Sequence, residues 1–291
     1  MADLKTLKLR INSIKKTQKI TKAMKMVAAS KLRKAREAAE ESRSYSEGFK
    51  DLLLSHKGPV DSTVTARNIV CGVEKPKSIL LVLVTSDRGL CGGLNANLVR
   101  FTAKKIRELE AQNYKVKVWC VGKKGYDQLK TGYADNIINN QTGYSSCPIN
   151  YQGAQNLADQ LVKLFYQEEA DICDVIYPTF KSAIAQEITE GRLFPCEING
   201  EAEVKEEVQF DYEPKKEELL EEIVIKNIAV QLFQAFMETF ASEQGARMSA
   251  MDNAVNNCTE LVKKLNLIYN RTRQAKITTE LVEIISAAES I

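Results

Sequence analysis

The chain has 291 residues, 44% of them apolar and 27% charged, with a net charge of +3. That is enough apolar material to bury a core, which excludes a disordered chain, and no apolar run approaches the roughly 20 residues of a membrane-spanning helix. Seven cysteines without any Cys-x-x-Cys spacing, and His56 as the single histidine, argue against a disulfide framework, a zinc site and Cys–His or Ser–His catalysis, and they fit a reducing compartment.

The first predicted element is a long helix over residues 1–58. Asp3 is its candidate N-cap and Gly58-Pro59 its stop. Between them lie one glycine, Gly48, and no proline, so the helix would run roughly 80 Å. Apolar or small residues recur in steps of three and four at Leu4, Leu7, Ile11, Ile14, Gln18, Thr21, Met24, Ala28, Leu32, Ala35 and Ala39, which is the seam of a coiled coil. The seam passes from large residues to alanine, so a partner can approach closely near Ala28–Ala39. Residues 1–36 hold twelve Lys and Arg against one acid, Asp3. This stripe has three readings: a solvated face, a nucleic-acid surface, or a cationic surface inside an acidic protein sleeve. Its lack of aromatic residues argues against stacking on single strands. No apolar run follows the lysine-rich start, so no signal peptide is expected, and a mitochondrial targeting segment is not evident.

Residues 60–76 read as a link. Ser78–Thr85 (SILLVLVT) is a continuous apolar run of strand length, as in a strand buried on both faces. A glycine-rich loop and an amphipathic helix to Gln112 follow, with Leu98, Phe101, Ile106 and Leu109 on one side. Next come a strand at Lys115–Val121, a helix at Lys123–Lys130, a weak strand at Asn136–Gln141, a helix at Gly153–Glu169, and strands at Cys173–Phe180 and Ala185–Phe194 that could pair as a hairpin. This alternation predicts a small α/β sheet over 77–196. Residues 197–222 are rich in Glu, with a connecting strand expected at Val208–Tyr212.

The loop Ser86-Asp87-Arg88-Gly89-Leu90-Cys91-Gly92-Gly93 lies where α/β folds bind phosphates. It lacks the G-K-[ST] of a P-loop and the spacing of a dinucleotide fold. A tight structural turn is therefore preferred over nucleotide binding, and Cys91 as a nucleophile comes last.

Residues 215–291 form the last element. After Pro214 the only breaker is Gly245, and one helix here would be roughly 110 Å long. Its seam runs Met248, Met251, Val255, Cys258, Val262, Leu265, Tyr269, Thr272. The simplest arrangement is an antiparallel two-helix coil. The second helix is longer by about 20 residues, so a tip beginning near Tyr269 would project roughly 30 Å alone and would need an enclosing partner. Arg271, Arg273, Gln274, Lys276, Thr278 and Glu280 lie on that tip.

Four separated stretches carry a resemblance. Ile11–Ala35, Thr85–Asn95 (TSDRGLCGGLN), Ser242–Ala254 (SEQGARMSAMDNA) and Tyr269–Ile284 (YNRTRQAKITTELVEI) make the chain resemble the gamma subunit of F-type ATP synthases over nearly its whole length. One departure is Ala287-Ala288 where that family has Gly-Ala, a change that raises helix propensity. The resemblance implies an α/β fold class: a long antiparallel coiled coil of N- and C-terminal helices with an inserted Rossmann-like domain. It implies a non-catalytic rotor shaft, without cofactor or metal, that couples proton flow through the membrane ring to ATP synthesis or hydrolysis on the beta subunits and regulates both. The implied partners are the alpha and beta subunits, an epsilon-type subunit and the membrane c-ring, with no nucleic acid. Arg273 and Gln274 would meet a beta catch loop, Thr278 and Glu280 fall in the terminal signature, and Met24, Lys25 and Arg247 would lie at a lower contact with beta. The implied location is peripheral, on the cytoplasmic face of a bacterial inner membrane, with the matrix face of the mitochondrial inner membrane as the alternative. Thiol switching is not expected, since Cys196 has no close partner cysteine.

Overall fold

A computed structural model describes residues 4–55, 69, 72–73, 75–143, 151–195 and 216–289. The Asp3 cap, the Gly58-Pro59 stop, most of the link, the strand expected at 208–212, the Ala39 side chain, and Cys71, Cys147 and Cys196 lie outside these residues. Helix α1 spans Leu4–Ser55 and helix α5 spans Lys216–Glu289, with 52 and 74 residues respectively. Between them come β1 (Ser78–Val84), α2 (Leu94–Ala111), β2 (Lys115–Val121), α3 (Lys123–Tyr133), β3 (Ile137–Gln141), α4 (Tyr151–Tyr166), β4 (Ile172–Phe180) and β5 (Gln186–Phe194). Contacts gather the chain into two compact units, one of residues 1–29 with 247–291 and the other of residues 30–246.

The second unit is built on a five-stranded sheet of order β3-β2-β1-β4-β5. β1 pairs in parallel with both β2 and β4, β2 pairs in parallel with β3, and β4 and β5 form the expected antiparallel hairpin. All seven residues of β1 are buried, because helices cover both faces. Ile79, Leu81 and Leu83 face Leu98, Ile106 and Leu109 of α2 and Leu129 of α3. The alternate residues Leu80, Val82 and Val84 face Leu157, Leu161 and Phe165 of α4 together with Ile228, Leu232 and Phe236 of α5. Period-two alternation of a wholly apolar strand thus feeds two cores, each fully buried Leu or Phe contributing about 1.5–3 kcal/mol.

Polar groups pin the strands where apolar packing has no direction. The Asp171 carboxylate accepts from the Lys77 amide at 2.8 Å, the Ser78 amide at 2.9 Å and the Ser78 hydroxyl at 3.0 Å, tying the start of β1 to the start of β4. Asp174, buried on β4, meets Arg192 Nε of β5 at 2.5 Å. Burial pushes the Asp174 carboxyl up, and Arg192 pulls it back only in part. Burial likewise pushes the Cys120 thiol up to about 12 and the Cys173 thiol well above its ordinary range, so both behave as packed apolar groups rather than nucleophiles.

Gly122, between β2 and α3, has φ +103°, and a Cβ there would sit 2.2 Å from the Thr85 carbonyl oxygen. Gly122→Ala is therefore expected to cost about 3 kcal/mol or more, read as a fall in the denaturant midpoint. The raised Asp174 carboxyl binds its proton more readily in the folded chain than in the unfolded one. Its stabilising share is full below about pH 4 and is lost as pH rises through the folded value. Relative to Asp174→Asn, the wild type should lose stability as pH climbs from about 4, and melting curves that track each other across pH would contradict this.

Candidate functional site

The first unit joins the N-terminal part of α1 to the C-terminal part of α5. Gln18 Nε2 donates to Thr259 Oγ1 at 2.7 Å, and Lys25 Nζ donates to Asp252 Oδ1 at 2.5 Å. Seven residues forward on α1 correspond to seven residues backward on α5, so the helices run antiparallel and these two contacts lie one heptad apart. The Thr259 hydroxyl also donates to the Val255 carbonyl at 2.8 Å, which satisfies it within the interface. On α1 the residues turned inward are Leu4, Leu7, Ile11, Ile14, Gln18, Thr21, Met24 and Ala28; on α5 they are Met248, Met251, Val255, Cys258, Val262, Leu265, Tyr269 and Thr272. Both are the seams expected from the spacing. The seam holds the pair together, because the side chains of Lys25 and Asp252 remain 39% and 46% exposed and an ion pair so solvated contributes at most about 1 kcal/mol.

Continued at the same register, the pairing sets Leu4 opposite Arg273. Burial agrees: Tyr269 and Thr272 are half-buried, and from Arg273 to Ala288 every described side chain is exposed. The solitary segment therefore starts four residues later than the expected Tyr269, because the first turn of α1 reaches the level of Thr272. Roughly 25 Å of helix follows. One face of it is apolar, with Ile277, Leu281, Ile284 and Ile285 between 48% and 65% exposed at helical spacing. The other face is polar. Thr278 donates to the Gln274 carbonyl at 3.0 Å, and Lys276 lies 3.8 Å from Glu280.

The structure gathers Arg273, Gln274, Thr278 and Glu280 on this segment, all exposed. Met24 and Lys25 are half-buried at the α1–α5 seam, with Lys25 held by Asp252. Arg247 is buried at 9% exposure. The basic stripe is outward, with Lys5, Lys8, Arg10, Lys15, Lys16, Lys19 and Lys22 exposed.

The glycine-rich loop holds together as a turn. Asn95 Nδ2 donates to Ser86 Oγ at 2.8 Å and to Cys91 Sγ at 3.2 Å, while Asn95 Oδ1 accepts from the Ser86 amide at 3.2 Å. The first amides of α3, which could greet a phosphate, are already given away: Lys123 to Asp87 Oδ1 at 3.1 Å, Lys124 to the Ser86 carbonyl at 3.1 Å, and Gly125 to Thr85 Oγ1 at 3.0 Å. Asp87 thus supplies the negative charge that this helix end favours. Among the described residues no group of three or more His, Cys, Asp or Glu could hold a metal ion, and no helix is long and apolar enough to cross a membrane. Sequence reasoning missed Asp87 and Asp252 as partners. Their signals, an acid just after a strand and an acid beside the seam residue Met251, are too common to single out.

The sequence pattern of a family described as ATP synthase matches residues 3–291. The chain is 44% identical over 291 residues to the ATP synthase gamma chain of Pelagibacter ubique, with 100% of both chains covered. It is 43% identical over 299 residues to that of Rhodospirillum rubrum, again with 100% of each covered. Among solved structures, a chain of the central stalk and c-ring of the Tetrahymena thermophila mitochondrial ATP synthase is 28% identical with a TM-score of 0.64, covering 81% of this chain and 99% of that one. A chain of the Euglena gracilis mitochondrial ATP synthase shares the fold at 22% identity and a TM-score of 0.71, covering 99% and 94%.

The unequal weight of seam and ion pair can be measured. Ile11→Ala, at a site 6% exposed, should cost about 2–4 kcal/mol, whereas Asp252→Ala should cost less than about 1 kcal/mol; equal losses in thermal unfolding would overturn this ranking.

Proposed function

We infer, since this chain belongs to the ATP synthase gamma-chain family, that it works as the rotating shaft of an F-type ATP synthase, coupling proton movement through the membrane ring to ATP synthesis or hydrolysis on the beta subunits. The observation that carries this reading is the solitary end of α5. From Arg273 to Ala288 it is exposed on all sides, with an apolar stripe along one face. A helix of this length does not persist in water by its own propensity, and a contiguous apolar stripe marks a contact surface. A ring of alpha and beta subunits around the tip would supply the missing surface, and the basic stripe of α1 would face acidic groups of that sleeve.

The chain carries no chemistry in this reading. An asymmetric shaft favours a different conformation of each beta subunit according to which side it presents, so turning it shifts their populations in sequence. Regulation of ATP hydrolysis and proton flow follows, because any partner that stops the shaft stops both. Arg273, Gln274, Thr278 and Glu280 would contact the upper part of the sleeve, and Met24, Lys25 and Arg247 would form the lower contact with beta. Residues 1–58 and 215–291 serve as coiled-coil arms and residues 77–196 as the foot. The foot would carry the epsilon-type subunit and rest on the c-ring, peripheral to the cytoplasmic face of a bacterial inner membrane.

Reconstitution tests the whole reading. The pure chain should not turn over ATP, and mixing it with alpha and beta subunits should give a hydrolase whose shaft rotates in single-molecule recordings. Robust turnover by the chain alone would defeat it. Within the assembled complex, Met24→Lys adds charge beside a stripe that is already basic. It should lower proton pumping per ATP hydrolysed while leaving the fold intact, and unchanged pumping in vesicles would count against the lower contact.

A further inference from the structure

The stretch Glu238–Ala246 of α5 is buried in the second unit: Glu238 is 1% exposed, Ser242 0% and Glu243 2%. Three of its positions, Glu238, Ser242 and Gly245, follow one another at four and three residues and share a single face of the helix. All three meet the end of β4. Glu238 Oε2 accepts from the Phe180 amide at 2.9 Å. The Ser242 hydroxyl donates to the Pro178 carbonyl at 3.1 Å. At Gly245, an added Cβ would lie 2.9 Å from the Phe180 ring and 3.4 Å from the Ala183 Cα.

The location explains why a helix does this. The β1–β4 ladder ends at Leu83–Ile176, whereas β4 runs on to Phe180 with β5 on its other side. The groups of Pro178 and Phe180 not used by β5 would otherwise be left on the edge that β1 has abandoned, and buried main-chain groups require partners. Side chains of α5 take the place of the missing strand. This is also the point of an open α/β sheet, beside the carboxyl ends of its strands where the chain order reverses, at which a ligand crevice normally opens. Here it is filled by α5.

We infer that the Glu238–Ser242–Gly245 face is a torsional lock that keeps α5 from rolling on the sheet. The apolar contacts of Ile228, Leu232, Ala235 and Phe236 hold α5 down, but burial is non-directional and a rolled helix can repack. Two directional hydrogen bonds to the main chain of one strand, with a notch that admits an aromatic ring, fix the rotational setting. This rests on the rotor reading above: a turning moment delivered to the sheet reaches the shaft through this face.

The test uses the complete complex in vesicles, with ATP hydrolysis and ATP-driven proton uptake measured on the same preparation. The paired substitution Glu238→Ala with Ser242→Ala should leave hydrolysis by the alpha–beta–gamma head within about twofold of wild type. Protons pumped per ATP should fall by at least about fivefold, the factor that the loss of even one such hydrogen bond is worth. Glu238→Gln, which keeps an acceptor for the Phe180 amide, should restore pumping when Ser242 is intact. Ser242→Ala alone removes a single hydroxyl and serves if the paired variant fails to fold. It should show a smaller fall in pumping and faster exchange of amides at the end of β4. Normal pumping in both the paired variant and Ser242→Ala would overturn the lock, as would a Glu238→Gln variant no better than Glu238→Ala. If the wild-type chain supports neither a hydrolytic head nor pumping, the rotor reading itself fails, an outcome distinct from these.

Discussion

Everything in this chain depends on a narrow apolar seam between two antiparallel helices. A 74-residue helix has far more surface than any one small domain can cover, and helical propensity alone does not hold such a length in water. It is held in pieces. One stretch, around Val224 to Phe236, is buried against a sheet. Another, from Met248 to Thr272, is covered along one face by α1. The segment from Arg273 to Ala288 is uncovered. The sheet domain gives the helix a rigid setting and the coiled coil gives it stiffness, and neither supplies the last 25 Å or so of support.

The same economy appears in the sheet domain. Its layout is that of a ligand-binding α/β fold, yet two points where such a fold can bind, the first turn of α3 and the crevice beside β4, are occupied from within. Asp87 sits at the start of α3, and α5 fills the crevice beside β4 through Glu238 and Ser242. A fold built to grip a small molecule grips a helix instead, and Gly122 and Gly125 let its loops close onto Thr85 with no room between.

Much of this was legible in the sequence, for a physical reason. Spacing of three and four along a helix, and unbroken β-branched and leucine runs in strands, follow directly from backbone geometry, so both seams and β1 could be read residue by residue. Gly245 shows where such reading stops. A glycine in a helix is consistent with a bend or with a close neighbour, and only the Phe180 ring against it decides for the neighbour. Glu238, Ser242, Glu243 and Arg247 were invisible as buried residues, because polar side chains in a helix normally face water. The partners of Glu238 and Ser242 are main-chain groups 58 and 64 residues away, which leave no trace in local pattern. Arg247, which the family resemblance makes a contact for another subunit, is 9% exposed within this chain, a burial that local pattern does not signal. The start of the free segment was misplaced by one turn because it depends on how two helices are staggered, and stagger is set by pairs such as Gln18 with Thr259 rather than by either seam alone.

The apolar stripe at Ile277, Leu281, Ile284 and Ile285 carries a cost outside the assembled state. In a chain whose tip is uncovered, these side chains stand in water on a helix with nothing to hide them, so self-association competes with correct assembly. The competition depends on concentration: a surplus of this chain over its partners raises the first process, and a surplus of partners raises the second. The tip thus makes supply ratio a physical variable of assembly, and a cell that makes this protein gains by never letting it accumulate ahead of whatever encloses it.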